Sequence, residues 1–494
     1  MKRILNMSKP MMLVAALMLW VMPFQASAQI FTDVNCDGTT DPSDISALIN
    51  YLLNGDGGPV ISPTDGFLSA KDYGAVGDGV TDDTPALESL FDDAAKFHKA
   101  VYFPAGTYLI RRSLKLRSGM EIYGDGNNSI IKKQAAVWHQ LRTSISSGSS
   151  KASLDNISGY KVGDQFFISY SSSINDPAAR YCSNGIITAI DSVNRTITFT
   201  SCYAGIKNGA IRSQGTGCYV STSFAVLRSW SCFDECINVY IHDICIDGNR
   251  QQGEPMEWSN GCIHFDAYAG ALNGIPYDHH SYGHFVHRCK VINSSFDGIS
   301  DQGEGNLFVK DCDIQNSAMH GVHLGTVFAN ASITDNTMSG NGQQGAGVFC
   351  CQDVTNVLVS GNSITGFNHG VSDEEYGTKG QFLIIRNNQF SNITSYVFDF
   401  LKAQSTSRGG GLQISNNTIS GLKASLFYGN YLDEVIFANN QVTSVSKSLT
   451  YLISATSCKN VIVAGNTLPS SASVSTMVRS TSTTNLINSG NSWN

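Results

Sequence analysis

The sequence predicts an all-β chain wound as a parallel β-helix, and three observations predict it. From residue 240 onward a template recurs: apolar, any, apolar, two of any type, Asn, any, apolar. Its Asn slot holds Asn336, Asn362, Asn388, Asn417, Asn440 and Asn466, and in two earlier copies Cys289 and Cys312. Successive slots lie 23, 24, 26, 26, 29, 23 and 26 residues apart. A repeat of this size marks a solenoid, and about 23 residues make one turn of three short strands. Second, the chain has 47 Gly, many Ser, Thr and Asn, and only 15% charged residues, whereas a helical protein leans on Ala, Glu, Lys and Leu. Third, a column of polar–Gly–apolar triplets follows the Asn slot: Asn260-Gly261-Cys262, Asp297-Gly298-Ile299, His320-Gly321-Val322, Gln344-Gly345-Ala346 and His369-Gly370-Val371. The recurring Asn are expected to stack as a buried ladder in a turn where Asn tolerates a left-handed backbone, with Cys289 and Cys312 as small fillers of the same stack.

Residues 1–28 read as an export signal. Lys2, Arg3 and Lys9 supply the positive start, Met11 to Phe24 the apolar run, and Ala26-Ser27-Ala28 the cleavage site. The run is shorter than the ~20 residues of a membrane span, and no later stretch is long and apolar enough to cross a bilayer. The expected location is secreted, cell-surface or periplasmic. A formal charge of -8 without basic runs argues against a nucleic-acid partner. The 13 Cys are odd in number, so at least one is unpaired. Export permits disulfides, but the dense group Cys182, Cys202, Cys218, Cys232, Cys236, Cys245 and Cys262 fits no zinc spacing. Buried free thiols with one or two bridges are expected. No sequence signal sets the oligomeric state.

The next segment, 29–54, carries a calcium loop. Asp33, Asn35, Asp37, Asp41 and Asp44 place oxygens at loop positions 1, 3, 5, 9 and 12, Gly38 takes the sharp turn at position 6, and Thr39 offers its carbonyl at position 7. Hard Ca²⁺ takes such a ring of oxygens. Ile45, Leu48, Ile49, Leu52 and Leu53 follow with helical spacing. The segment resembles one repeat of a dockerin, an EF-hand-like module that carries two repeats; one is present here. That resemblance implies a structural Ca²⁺ and a cohesin-like or cell-surface partner. A Gly/Pro linker fills 55–66.

The main domain opens on Lys71-Asp72-Tyr73-Gly74-Ala75-Val76-Gly77-Asp78-Gly79-Val80-Thr81-Asp82-Asp83-Thr84-Pro85-Ala86-Leu87. Thr84 or Asp83 can N-cap a helix, Pro85 suits its first position, and Leu87, Leu90, Phe91, Ala94 and Ala95 form one apolar face. Strand-like Val101 to Tyr108 and Met120 to Gly126 follow. This stretch resembles the opening of the pectate-lyase-like superfamily, in the branch of rhamnogalacturonases, polygalacturonases, epimerases and many phage tailspikes. The resemblance implies a right-handed parallel β-helix over 67–468, the pectin-lyase-like solenoid, closed by an N-terminal capping helix. It also implies a β-rich insertion over 154–203, with a hairpin from Ile187 to Phe199. Residues 469–494 read as a Ser/Thr/Asn-rich tail.

Chemistry is expected on the triplet column. Successive rungs lie ~4.8 Å apart, which makes Asp297 and His320 stacked neighbours. Two residues beyond each Gly, Ser300, His323, Gly347 and Ser372 should point outward. Nine of the 11 His fall between residues 242 and 369, and 266–284 interrupts the repeat with Asp278, His279, His280, Tyr282 and His284. No spacing singles out a metal site among those His. The sugar-hydrolysing relatives use Asn-any-Asp-Gly, an adjacent Asp pair and Gly-His-Gly. Here Ser295-Phe296-Asp297-Gly298 and Met319-His320-Gly321 match in part, and the Asp pair is absent. The catalytic candidates are Asp297, Asp301, His320 and His323. The substrate-binding candidates are Ser300, Gln302, His264, His280, His369, Asp373, Glu374 and Tyr376. Hydrolysis wants two carboxyl groups, and elimination wants a base beside a neutralised uronic-acid carboxylate, a base that His320, His323 or Tyr376 can supply. The leading expectation is an enzyme that hydrolyses a pectin-like, uronic-acid-containing polysaccharide. A lyase or epimerase, a non-catalytic glycan-binding or adhesion solenoid and a phage-type fibre follow in that order.

Overall fold

The computed structural model describes residues 66–169, 172, 183–201, 213–229, 235–265, 280–325, 328–342, 344–351, 353–373, 381–400 and 409–492. The export signal and the calcium loop, with Asp33, Asn35, Asp37, Thr39, Asp41 and Asp44, lie outside these residues, as do Asp278, His279, Glu374 and Tyr376.

Three short strands make each turn. Gly305–Lys310, Asp313–Gln315 and Val322–Leu324 form one turn, and Ala329–Thr334, Thr337–Ser339 and Ala346–Cys350 form the next. The two turns pair in parallel, with Leu307 on Ala331, Ile314 on Met338 and Val322 on Val348. The first two strands of each turn merge into a 23-stranded sheet, and the third strands stack as an 11-stranded sheet. Strand twist makes parallel crossovers right-handed, and the chain is a right-handed parallel β-helix. Alternation sends Leu307, Val309, Ile314, Val322 and Leu324 inward, all fully buried. Each such side chain contributes roughly 1.5–3 kcal/mol, so every rung adds its own piece of one continuous core.

Helix α1, Thr84–Phe97, packs Leu87, Leu90, Phe91 and Ala94 onto the first rungs and covers the N-terminal end of that core. An uncovered end would expose apolar side chains and free strand edges. Pro85 sits in its first turn as expected, but Asp83 does not cap it through its side chain. The Asp83 carboxylate instead accepts the Val76 and Gly77 N–H groups at 2.6 and 3.0 Å, tying the Gly-rich turn to the helix.

The Asn ladder is present and buried. Asn336, Asn362, Asn388, Asn417, Asn440 and Asn466 each donate from Nδ2 to the Oδ1 of the next, over 2.9–3.0 Å, the last onto Asn491. The left-handed backbone falls one residue earlier than expected: Asp335, Asn387, Asn416 and Asn439 have φ of 57, 57, 56 and 55°. The turn thus bends at the residue before each rung of the ladder.

Two boundaries differ from expectation. The insertion is a separate six-stranded antiparallel sheet that begins at Trp138–Gln140 and ends at Tyr219–Ser221, around its own core of Phe166, Ile168, Ile197 and Val220. Its hairpin joins Ser183–Asp191 to Thr196–Ser201. Residues 469–492 are not a tail: Val474–Thr481 and Thr484–Ser489 extend both sheets in parallel register. The nine described Cys are all free, and eight of them are buried; Cys36, Cys182, Cys202 and Cys232 lie outside the described residues. Among the described residues no helix is long and apolar enough to cross a membrane.

Candidate functional site

The third strands set the site. Their register aligns Ile263, Ile299, Val322, Val348 and Val371 as the inward column. One residue on, Lys115, Arg228, His264, Ser300, His323, Phe349 and Ser372 form an outward column. Two triplets read from the sequence were therefore out of step. Ile263, not Cys262, aligns with Ile299, and Val348, not Ala346, aligns with Val322. Phe349 rather than Gly347 takes the outward slot. Glycine is required by space on this column: a Cβ on Gly298, Gly321 or Gly347 would lie 2.4–2.6 Å from Ile314, Gly347 or Ile364 atoms.

Asp297, His320 and His323 come together. The His323 Nδ1 lies 2.7 Å from Asp297 Oδ2, and the His320 backbone N–H donates to Asp297 Oδ1 at 3.1 Å. The Ala346 N–H donates to His320 Nδ1 at 3.0 Å, which leaves the ring proton of His320 on Nε2. The His320 ring stacks on Phe349, centroids 4.1 Å apart, and His323 meets the same ring edge-on at 4.9 Å. Gln302 links Ser300 and His323, with its Nε2 3.0 and 3.4 Å from their polar atoms, and His323 also bonds the Cys351 thiol.

Burial pushes the Asp297 carboxyl up, but the His323 charge and hydrogen bond outweigh burial and hold it below its ordinary value. Burial pushes the His323 imidazole down, and the Asp297 charge and hydrogen bond more than reverse that, raising it to about 10. At neutral pH the pair is a carboxylate and an imidazolium. Ligand atoms of Asp297, His320 and His323 lie within 4.8 Å of one another, a donor set that suits a transition metal. The Asp297 and His323 groups already satisfy each other through a proton.

The other candidates separate. Asp301 was expected as a catalytic group, but strand alternation turns it inward, in register with Phe265 and Leu324. It is fully buried, Oδ1 accepts the Gly303 N–H at 2.8 Å, Oδ2 has no partner among the described residues, and burial drives its pKa well above the ordinary value. Asp301 thus faces the core, where burial disfavours its charged form, and is not a partner for Asp297. Asp373 occupies the same inward position, opposite Cys350. Ser300 and His264 lie on the outward column, both buried. His280 is exposed and paired with Glu304 at 2.7 Å, and His369 lies 3.3 Å from Asp399. His284 is buried against Phe265, centroids 3.9 Å apart, and burial lowers its pKa to about 3. His280 and His284 therefore do not share a site. Ser295 serves a buried ion pair: its Oγ lies 2.7 Å from Glu254, which accepts from Lys133 at 2.8 Å. Sequence reasoning missed Phe349 and Cys351, because a two-residue extension of that rung moves the outward slot.

The model for the family described as rhamnogalacturonase A/epimerase, pectate lyase-like, matches residues 67–424. This chain belongs to that family. Its similarity to curated proteins is local. A mannuronan C5-epimerase of Azotobacter vinelandii is 36% identical over 85 residues, 16% of this chain and 8% of the relative. A probable glucan endo-1,3-beta-glucosidase of Arthroderma benhamiae is 44% identical over 61 residues, 12% of this chain and 7% of the relative. The matches thus span less than a tenth of these relatives' lengths. Among solved structures of this pectate-lyase-like fold, the A-module of mannuronan C-5 epimerase AlgE6 from Azotobacter vinelandii superposes with a TM-score of 0.50 at 14% identity, covering 85% of this chain and 99% of that one. The tailspike protein of E. coli bacteriophage HK620, in complex with a pentasaccharide, gives 0.51 at 12% identity, covering 87% and 66%.

Proposed function

We propose that this chain cleaves a glycosidic bond in an acidic, uronic-acid-containing polysaccharide, with His323 as the proton donor. The observation that carries the reading is the 2.7 Å contact between His323 Nδ1 and Asp297 on the outward column. Asp297 keeps the ring charged and fixes its orientation; with the Gln302 amide turned to present its oxygen rather than its nitrogen 3.4 Å away, Nε2 carries the proton that goes to the departing glycosidic oxygen. Hydrolysis and β-elimination both need that step. His320 Nε2–H and the half-buried Lys115 add a donor and positive charge along the same face of an otherwise acidic chain, which suits a carboxylate-bearing sugar. Support for a polysaccharide comes from the family, from the epimerase named for mannuronan and from the pentasaccharide held by the tailspike.

Hydrolysis remains the leading reaction, with elimination next. It needs a second ionised carboxyl group, and Asp301 is unsuited. Asp278 and Glu374, outside the described residues, are the candidates. The test is turnover on polygalacturonate, rhamnogalacturonan, alginate and a neutral β-glucan, read by reducing ends and by the absorbance of an unsaturated product. Reducing ends alone mean hydrolysis, and both signals mean elimination. Cleavage of acidic polymers that vanishes in His323→Ala supports the reading. Full turnover in both His323→Ala and Asp297→Asn overturns it. Tight binding of an acidic polymer without any product favours the non-catalytic solenoid.

The N-terminal loop is proposed to bind Ca²⁺ and to serve as a docking module, and residues 1–28 to direct export.

A further inference from the structure

Beyond His323 the outward column turns aromatic and ends in a cation. The register runs from Ser372 through Asp399, Tyr428 and Ser454 to Arg479. Tyr396 and Tyr451 stand two residues before the inward Phe398 and Ile453, the slot that Asp297 holds before Ile299, and so flank the column on the same side. The Tyr396 and Tyr428 rings are 5.1 Å apart, and those of Tyr428 and Tyr451 6.0 Å apart. The Arg479 guanidinium lies 4.1 Å over Tyr451 and 5.8 Å from Tyr428.

Arg479 is held in place. Its Nε and Nη2 donate to Ser454 Oγ at 3.1 and 2.9 Å, and Nη2 also donates to the Tyr428 hydroxyl at 3.3 Å. Among the described residues no carboxylate pairs with it. A fixed guanidinium that pairs with no described carboxylate, half-buried on an aromatic platform, is prepared for a planar anion. The tyrosines are half-buried as well, so ring surface remains for the face of a pyranose.

We propose that Arg479, Tyr428, Tyr451 and Tyr396 form a distal subsite for an acidic sugar, the uronate carboxylate on Arg479 and the ring against the tyrosines. The inference rests on the polysaccharide reading above and adds a direction to it: the polymer lies along the solenoid axis. Six rungs of ~4.8 Å separate His323 from Arg479, roughly 29 Å, so only a long fragment reaches both ends.

The test uses the full chain carrying His323→Ala, to stop turnover, and short and long fractions of polygalacturonate and of alginate. Calorimetry gives the affinities. Adding Arg479→Ala should weaken the long fraction on the order of tenfold, the loss of one charge-assisted contact, while short fragments are unaffected. Arg479→Lys should restore part of the loss, since it keeps the charge without the fork. Tyr451→Ala should act in the same direction, with a melting curve to show that each variant is folded. Equal affinity of long fractions with and without Arg479→Ala overturns the subsite and leaves the His323 reading standing. Equal losses for short and long fractions overturn it too, because they show a global effect. Length-dependent loss, alongside full turnover in the single variant His323→Ala, keeps the subsite and removes the reactive centre. If neither polymer binds at all, both readings fall.

Discussion

Removing one amide from the Asn ladder tests the register of the solenoid directly. Asn388 makes four buried hydrogen bonds through its side chain: Nδ2 donates to Asn417 Oδ1 at 3.0 Å and to the Val359 carbonyl at 2.9 Å, and Oδ1 accepts the Asn362 N–H and Nδ2–H, both at 2.9 Å. In Asn388→Ala the Asn362 N–H loses its acceptor, its Nδ2 keeps only the Ile333 and Ser360 carbonyls, and the Val359 carbonyl loses a donor. Asn388 is 1% exposed, so water does not reach the gap. Each buried group left unpaired costs about 1–3 kcal/mol, and the loss should total roughly 2–5 kcal/mol after the neighbours relax. The assay is thermal unfolding followed by far-ultraviolet circular dichroism, with Asn356→Ala as control. Asn356 is an exposed residue whose amide, among the described residues, donates to Asn330 at 3.1 Å. A melting temperature for Asn388→Ala equal to that of the control would refute the energetic role given to the ladder.

Further outcomes follow from the site and the rungs. Asp297→Asn should bring the His323 pKa down from about 10 toward the ordinary value near 6.5, read by NMR titration of the ring; an unmoved titration breaks the pairing argument. Because the folded-state pKa of His323 is raised, its contribution to stability is complete below about pH 6.5 and disappears as pH rises through about 10. The difference in melting temperature between the native protein and His323→Gln should therefore shrink across that window. Gly321→Ala would put a Cβ 2.6 Å from the Gly347 carbonyl and 3.1 Å from Met338 Sδ. Overpacking of this kind costs typically ~1–3 kcal/mol, measurable by denaturant unfolding. In the full chain, Asp33→Ala with Asp37→Ala should abolish calorimetric Ca²⁺ binding at the N-terminal loop; unchanged heat would remove the loop assignment.

Much of the fold was legible because its repeat is chemical as well as periodic. An Asn slot must be filled by something that bonds up and down the stack, so its spacing survives rungs of 23 to 29 residues. The Gly column was legible for a steric reason, since no Cβ fits there. Register was harder. Extra residues before Val348 and the loop before Ile263 shift a triplet without altering its composition, so Gly347 and Asn260 were misplaced and Phe349 was missed. Asp301 was misjudged because its chemistry was weighed ahead of its place in the strand: with Ile299 inward and Ser300 outward, alternation already turns it to the core, as its alignment with Phe265 and Leu324 shows. The last described rung escaped because it has little apolar patterning. Thr484–Ser489 is mostly exposed, so the apolar pattern that signals a strand is lost, and Arg479 was lost with it.

The Asn ladder also has a polarity. From Asn336 to Asn466 every amide donates toward the C-terminal end and accepts from the N-terminal side. Aligned amide dipoles polarise one another, and each bond in such a chain strengthens its neighbours. The column therefore behaves as a one-dimensional polar wire within an apolar coil, with an acceptor at one end and a donor at the other. Its acceptor end is Asn336 Oδ1, which takes the Cys312 N–H at 2.9 Å. There a thiol replaces the amide, and the wire stops at the rung that carries His320 and His323. Its donor end is Asn491, whose Nδ2 is satisfied by the Val463 carbonyl and Asn488. Such a wire cannot be reversed rung by rung: one inverted amide would set donor against donor and acceptor against acceptor. The backbone enforces the same sense at every rung, since each Oδ1 accepts a backbone N–H and each Nδ2 donates to a backbone carbonyl, a directionality that a core made only of aliphatic side chains would lack.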